Sequence, residues 1–259
     1  MKTLSYRLYG DYLMPSRMTT HEDLIRAANA AGYTQTSVRH YVDTLRGGRD
    51  PQQKVLIHRH DIDTDLRTAR KLFELEKKYH IKSSFYFRLS TMDIRLMREI
   101  EDYGSEASYH YEELASFAKR NKIKDPADIQ RRMPEIREEF ARNFLWIEHR
   151  LGRKMTTVAS HGDFANRQLK LNNTVVLADR TLRERCGIEC ETYDELLTDH
   201  TDIYISDRPP PHYYHPVAPI DALRRHRRIY LLTHPRQCET NWTANTKDNL
   251  FRFYEGLTW

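Results

Sequence analysis

The chain has 259 residues, 39% of them hydrophobic and 31% charged, with 42 Lys and Arg against 37 Asp and Glu, a formal charge of +5 and an isoelectric point near 9.0. That length suits one α/β domain of barrel size, or one domain carrying an N-terminal extension. No run approaches the roughly 18 apolar residues of a membrane span, and the start Met1-Lys2-Thr3-Leu4-Ser5-Tyr6-Arg7 predicts no secretion signal, so the cytoplasm is the expected compartment.

The charges are interleaved, as in Glu135-Ile136-Arg137-Glu138-Glu139 and Leu182-Arg183-Glu184-Arg185, which argues against nucleic-acid binding. The modest cationic excess instead favours an anionic substrate, such as a phosphate-bearing sugar. Cys186, Cys190 and Cys238 are too few and too irregularly spaced for a disulfide framework or a zinc-ribbon site.

Tyr6, Tyr9 and Tyr12, spaced by three, predict one packed face of a short element. Thr20-His21-Glu22-Asp23 resembles a capping box and predicts a helix through Ala31, stopped by Gly32. Residues 33–52 predict irregular chain, ending in the loop signal Gly47-Gly48-Arg49-Asp50-Pro51. Val55-Leu56-Ile57 then reads as a buried strand that runs into His58-Arg59-His60-Asp61-Ile62-Asp63. Leu66, Ala69, Leu72, Phe73 and Tyr79 keep a helical period that ends near His80. A strand over 81–88, a helix through Met92, Leu96, Met97 and Ile100 up to Gly104, and a strand over 106–110 follow. Ile129, Met133, Ile136, Phe140, Phe144, Ile147 and Leu151 step by three and four, so they form the core face of an amphipathic helix that Pro134 either kinks or starts afresh. Strands over 155–160, 202–207 and 228–234 and helical chain over 178–198 and from about Asn245 complete the pattern. Strands and helices that alternate over connections this long pair in parallel, so the fold class is α/β. The expected organisation is an N-terminal helical extension, 1–52, packed on a domain over 53–259 as one compact unit.

Polar chemistry collects where the predicted strands end. Asp61 and Asp63 are two residues apart, so an extended chain points both to one side. Paired carboxylates repel and cost desolvation, and a nearby cation relieves both. Asp63 or Thr64 would also suit the cap of the next helix, so the pair alone does not decide. His60, Asp61 and Asp63 end one strand, His110 another, His161 a third, Asp207 a fourth and His234 a fifth. That predicts one shared site at the carboxyl rim of a barrel. Aspartate and histidine suit a divalent metal such as zinc with a position open to water. A second carboxylate can then serve as general base and a separate histidine as general acid.

His60-Asp61-Ile62-Asp63, the downstream strand Ile81-Lys82-Ser83-Ser84-Phe85-Tyr86-Phe87 and Glu106-Ala107-Ser108-Tyr109-His110-Tyr111-Glu112 resemble the polysaccharide deacetylase superfamily (NodB homology, carbohydrate esterase 4), closest to divergent members with an Arg-His-Asp-x-Asp motif. The resemblance extends through Ser160-His161-Gly162 and Leu232-Thr233-His234-Pro235 and covers about residues 53 to 236. It implies a distorted (β/α) barrel of about seven strands and metal-dependent removal of acetyl groups from a carbohydrate. By position, Asp61 resembles the catalytic base, Asp63 and His110 metal ligands, and His234 the general acid. The family's second metal histidine falls on Leu114, which cannot ligate. His161 is the replacement candidate and Glu112 the second choice. Arg59 or Asp207 takes the orienting role of the family's arginine, which has no counterpart in its usual place.

The expected activity is therefore deacetylation of an N-acetylated sugar with one divalent ion, zinc by preference. The expected substrate is a nucleotide- or lipid-linked precursor of a surface polysaccharide. A catalytically inactive sugar- or anion-binding relative without metal is the main alternative, and a different amidohydrolase using the same residues is another. Loops 33–52 and 208–227 are the expected substrate walls.

Overall fold

The computed structural model describes residues 2–48 and 53–259. Arg49-Asp50-Pro51, the end of the expected loop signal, lies outside the described residues. Nine strands form one sheet: β1 (Thr34–Thr36), β2 (Val55–Ile62), β3 (Ser84–Phe87), β4 (Glu106–Tyr111), β5 (Thr157–Ser160), β6 (Cys190–Glu191), β7 (Ile203–Asp207), β8 (Tyr214–His215) and β9 (Arg228–Thr233). Their order is β6-β5-β4-β3-β2-β9-β7-β8, with β1 beside the first half of β2. Every pairing is parallel except β7 with β8.

The sheet curls into an open half-barrel, in keeping with the α/β class; among the described residues no pairing joins β6 to β8, and the distorted barrel of about seven strands that was expected is a curled sheet of nine with two free edges. The two additions at the edges are only two residues long, too short to show as hydrophobic periodicity.

Each strand alternates between the two faces, as the pleat requires. Phe85, Phe87, Ala107, Tyr109, Tyr111 and Val158 pack outward against the helices Leu66–Lys78, Ile94–Tyr103, Glu113–Arg120 and Met133–Leu151. Ile57, Tyr86, Ala159 and Tyr230 face the concave side. There they meet Val38, Tyr41 and Val42 of the Val38–Arg46 helix. That helix fills the amino-terminal end of the half-barrel, because Val38 N donates to Ser84 Oγ at the start of β3 (2.7 Å). Residues 33–48 are thus a strand and a helix, not irregular chain. Ser37 caps the helix by accepting from His40 N.

Other elements also differ from the expectation. The Met18–Ala30 helix starts two residues before Thr20 without a side-chain cap. Tyr6 is exposed and Tyr9 and Tyr12 only half-buried, so they are no core face. Pro134 sits in the first turn of the Met133–Leu151 helix, after a break that separates it from Pro126–Arg131, as suits a residue with no N–H to donate. The stretch 178–198 holds two short helices with β6 between them. The three cysteines are free and buried. No helix among the described residues is long and apolar enough to cross a membrane.

Candidate active site

Strand alternation and register build the site. Arg59, Asp61 and Asp63 follow Val55 and Ile57 on the concave face of β2, while His58 and His60 point to the convex side. Asp61 pairs in register with Tyr86, and Tyr86 with Ser108, so His110 stands two residues further up β4, level with Asp63. His161 follows β5 by one residue and His234 follows β9 by one. Thr233 is opposite His60, which sets His234 level with Asp61.

His110 Nε2 lies 3.1 Å from Asp63 Oδ1, His161 Nδ1 lies 3.0 Å from the same oxygen, and the two nitrogens are 3.3 Å apart. Asp63, His110 and His161 therefore offer three ligand atoms to one point. Asp63 Oδ1 is buried yet has no hydrogen-bond partner. His110 Nδ1 faces the Ala159 carbonyl at 3.0 Å, so it carries the ring proton and leaves a lone pair on Nε2. A lone pair and a carboxylate oxygen at this distance repel unless a cation stands between them, so the three residues fit a divalent metal. About a fifth of the Asp63 side chain remains exposed toward the cleft, which leaves a side of the site open.

Asp63 does not cap the next helix. Asp65 does, in left-handed backbone at φ 37°, accepting from Thr68 N (3.2 Å) and Thr68 Oγ1 (2.6 Å). Burial pushes the Asp63 carboxyl up, and positive charge beside it, on His161 or on an ion between the rings, outweighs this and holds the group well below the usual carboxylate range.

Asp61 sits beside this group, with Oδ2 3.5 Å from His110 Nε2. Arg59, itself fully buried, forks onto it: Nε to Oδ1 at 2.8 Å and a terminal nitrogen to Oδ2 at 2.7 Å. Burial again raises the carboxyl, but Arg59 and His110 outweigh it and hold Asp61 ionised below its ordinary value. Tyr193 lies under the guanidinium, 4.7 Å from its centre to the ring, and Tyr230 Oη accepts from it at 3.2 Å.

His234 closes the group from the other side. Its Nδ1 is 2.7 Å from Asp207 Oδ1, its backbone N donates to Asp207 Oδ2 at 2.5 Å, and its Nε2 points to Asp63 Oδ2 at 3.9 Å. Burial lowers its pKa, but Asp207, Asp63 and Asp61 overcome this and raise it to about 10. His234 is thus a proton donor at neutral pH with its free nitrogen facing the Asp63 site.

Glu112 is less suited to be a ligand, because both its oxygens are spent on Arg88 (3.0 and 2.7 Å). It forms, with His161 and Asp163, a second carboxylate group around His161. Leu114 is wholly buried in the apolar core. His60 does not join the strand-end histidines; it reaches Glu76 and Thr233 on the convex face, since its odd–even position is opposite to that of Asp61. The contributions of Asp163, Arg88, Tyr193 and Tyr230 were not visible in the sequence. Parity along β2 would have excluded His60.

Asp63, Asp207 and His234 open into a cleft of about 1070 Å³, whose further lining includes Ser206, Pro209–Pro211, His212, His215 and the arginines Arg7, Arg208 and Arg252. The expected wall in 208–227 is present over 208–216. Among the described residues none of 33–48 lines the cleft, because that stretch lies at the opposite end of the half-barrel.

No family model matches the chain, and no curated protein matches it. Among solved structures it is similar to Streptococcus pyogenes deacetylase PplD in complex with acetate, at 15% identity over 57% of this chain and 66% of that chain, with a TM-score of 0.40. The match thus spans just under two thirds of that protein's length.

Proposed function

We propose that the chain is a metal-dependent hydrolase that removes the N-acetyl group from a sugar, with Asp63, His110 and His161 as metal ligands. The observation that carries this reading is the convergence of those three residues on a buried oxygen without a hydrogen-bond partner, between a carboxylate and a protonated histidine. A divalent ion held there, zinc by its nitrogen-rich ligand set, would polarise the acetyl oxygen and acidify a bound water.

Asp61 accepts the water's proton, with Arg59 fixing the carboxylate so that it does not rotate away. His234 donates a proton from Nε2 to the departing nitrogen, while Asp207 holds Nδ1 and so the ring plane. Each transfer is worth about 10² to 10⁴ in rate. The cleft arginines suit a phosphate-bearing, nucleotide- or lipid-linked sugar. The resemblance of His60-Asp61-Ile62-Asp63 and the later motifs to those of polysaccharide deacetylases supports the same chemistry.

The test is elemental analysis of the purified chain beside Asp61→Asn, with release of acetate from nucleotide-linked N-acetyl sugars as the activity. Asp61→Asn is expected to keep its metal and lose about 10² to 10⁴ in kcat. Undiminished turnover would remove Asp61 as the base. Absence of metal in the wild type, even after zinc is added, would leave the binding-only relative as the reading.

A further inference from the structure

Behind the proposed active site, on the convex face of β2, lies a second group of metal-binding side chains. His58 and His60 come from β2, His21 from the Met18–Ala30 helix and Glu76 from the Leu66–Lys78 helix. A ring nitrogen from each histidine and a Glu76 oxygen all lie within 4.8 Å of one another. All four residues are at most 2% exposed.

Their outer contacts are arranged as they are around a bound ion. His58 Nε2 meets Gln35 Oε1 at 2.8 Å. The Gln35 amide nitrogen is turned the other way, to Ile25 O and Asn29 Oδ1, so Oε1 accepts and His58 Nε2 carries the ring proton. That leaves a lone pair on His58 Nδ1, which is buried and has no partner. Thr233 Oγ1 stands 2.6 Å from His60 Nδ1, and Ser83 Oγ donates to Glu76 Oε2. Glu76 Oε1 faces both His60 Nε2 (2.7 Å) and His21 Nε2 (3.0 Å). Ligand atoms on a tetrahedral zinc, with bonds of about 2.0 to 2.1 Å, stand about 3.3 Å apart, so small outward shifts accommodate an ion.

A hydrogen-bonded network without metal explains part of this: two imidazole N–H groups can share Glu76. It does not explain His58, whose Nδ1 would remain a buried acceptor without a partner.

We propose that His21, His58, His60 and Glu76 form a second metal site that holds one Zn²⁺ and clamps two helices to the convex face of β2. Four protein ligands without an open position make it a closed, structural site. The ion satisfies His58 Nδ1. His60 and His21 turn their Nε2 lone pairs to it, and His60 places its proton on Nδ1 toward Thr233.

The full-length chain carrying both His110→Ala and His161→Ala tests this, since it lacks the ligands of the active site and leaves the four convex residues untouched. It is expected to retain one zinc per chain against two in the wild type. With Co²⁺ in place of zinc it is expected to show the intense visible bands of a tetrahedral site. Adding His58→Leu should abolish both. No metal in the double variant after incubation with zinc and desalting overturns the proposal, as does metal that survives His58→Leu. If that triple variant does not fold, the Co²⁺ spectrum of the double variant decides, and octahedral bands overturn the site. One ion in the wild type that persists in the double variant supports the convex site and counts against the active-site reading instead.

Discussion

At the scale of single residues, neighbouring groups of the candidate site are held in opposite protonation states. Asp61 and Asp63 are held ionised by the cations and imidazoles around them, while the carboxylates hold His234 protonated. Asp207 is the separable part of this arrangement, because it touches His234 and not Asp63. In the metal-free protein, a histidine NMR titration should place His234 near pH 10, well above its ordinary 6.5. Asp207→Asn should bring the midpoint down toward the ordinary value and move the alkaline limit of kcat down with it. A midpoint near 6.5 in the wild type would contradict the arrangement. The sign for stability follows: a pKa raised on folding contributes fully below about pH 6.5 and is lost as the pH rises toward 10. The stability gap between wild type and Asp207→Asn should therefore close over that window.

At the scale of elements, β2 carries most of what the sequence discloses. Its apolar start and polar end are visible as a strand, and Asp61 and Asp63 as a same-side pair. The pairing of His110 with His161 was legible only as two histidines at two strand ends, because their meeting depends on the register of β4 with β5. The helix over Val38–Arg46 was legible and was passed over: Val38, Tyr41, Val42 and Leu45 recur at i, i+3, i+4 and i+7 behind Ser37 as cap. The cap of the Leu66–Lys78 helix lies one residue after Thr64 and two after Asp63, the two candidates read from the sequence, since Asp63, Thr64 and Asp65 are all good capping types. Only the left-handed backbone at Asp65 singles it out. Asp65→Ala should cost about 2 kcal/mol in urea denaturation, about 1 for the cap and about 1 for an alanine in left-handed backbone. Metal content should not change. Loss of metal in that variant would place Asp65 in the site instead.

At the scale of the molecule, the α/β class followed from alternating periods, but the number of strands and the open edge did not. Two-residue strands carry no period, and whether a curled sheet closes depends on its edges rather than on any one segment. The proposed ligands come from the residue after β2, from β4 and from the residue after β5, so a bound ion would tie together three strands that are distant in sequence. An ion that binds only the folded chain, at about 100 times its Kd, adds about 2.7 kcal/mol of stability. For a chain of this size that raises Tm by about 5–10 °C. Scanning calorimetry with and without a chelator should show a shift at least this large, and a His110→Ala chain should lose the share contributed by the active-site ion while keeping that of the convex site.

The Val38–Arg46 helix has one further consequence. With Tyr41 and Val42 packed against Tyr86 and Tyr230, the half-barrel has a floor, and the cleft past Asp63 and His234 opens at the other end. For a hydrolase that makes two products this imposes an order of exit. On the proposed reading, the smaller fragment would be released beside Asp61 and would leave after the larger one, which occupies the cleft.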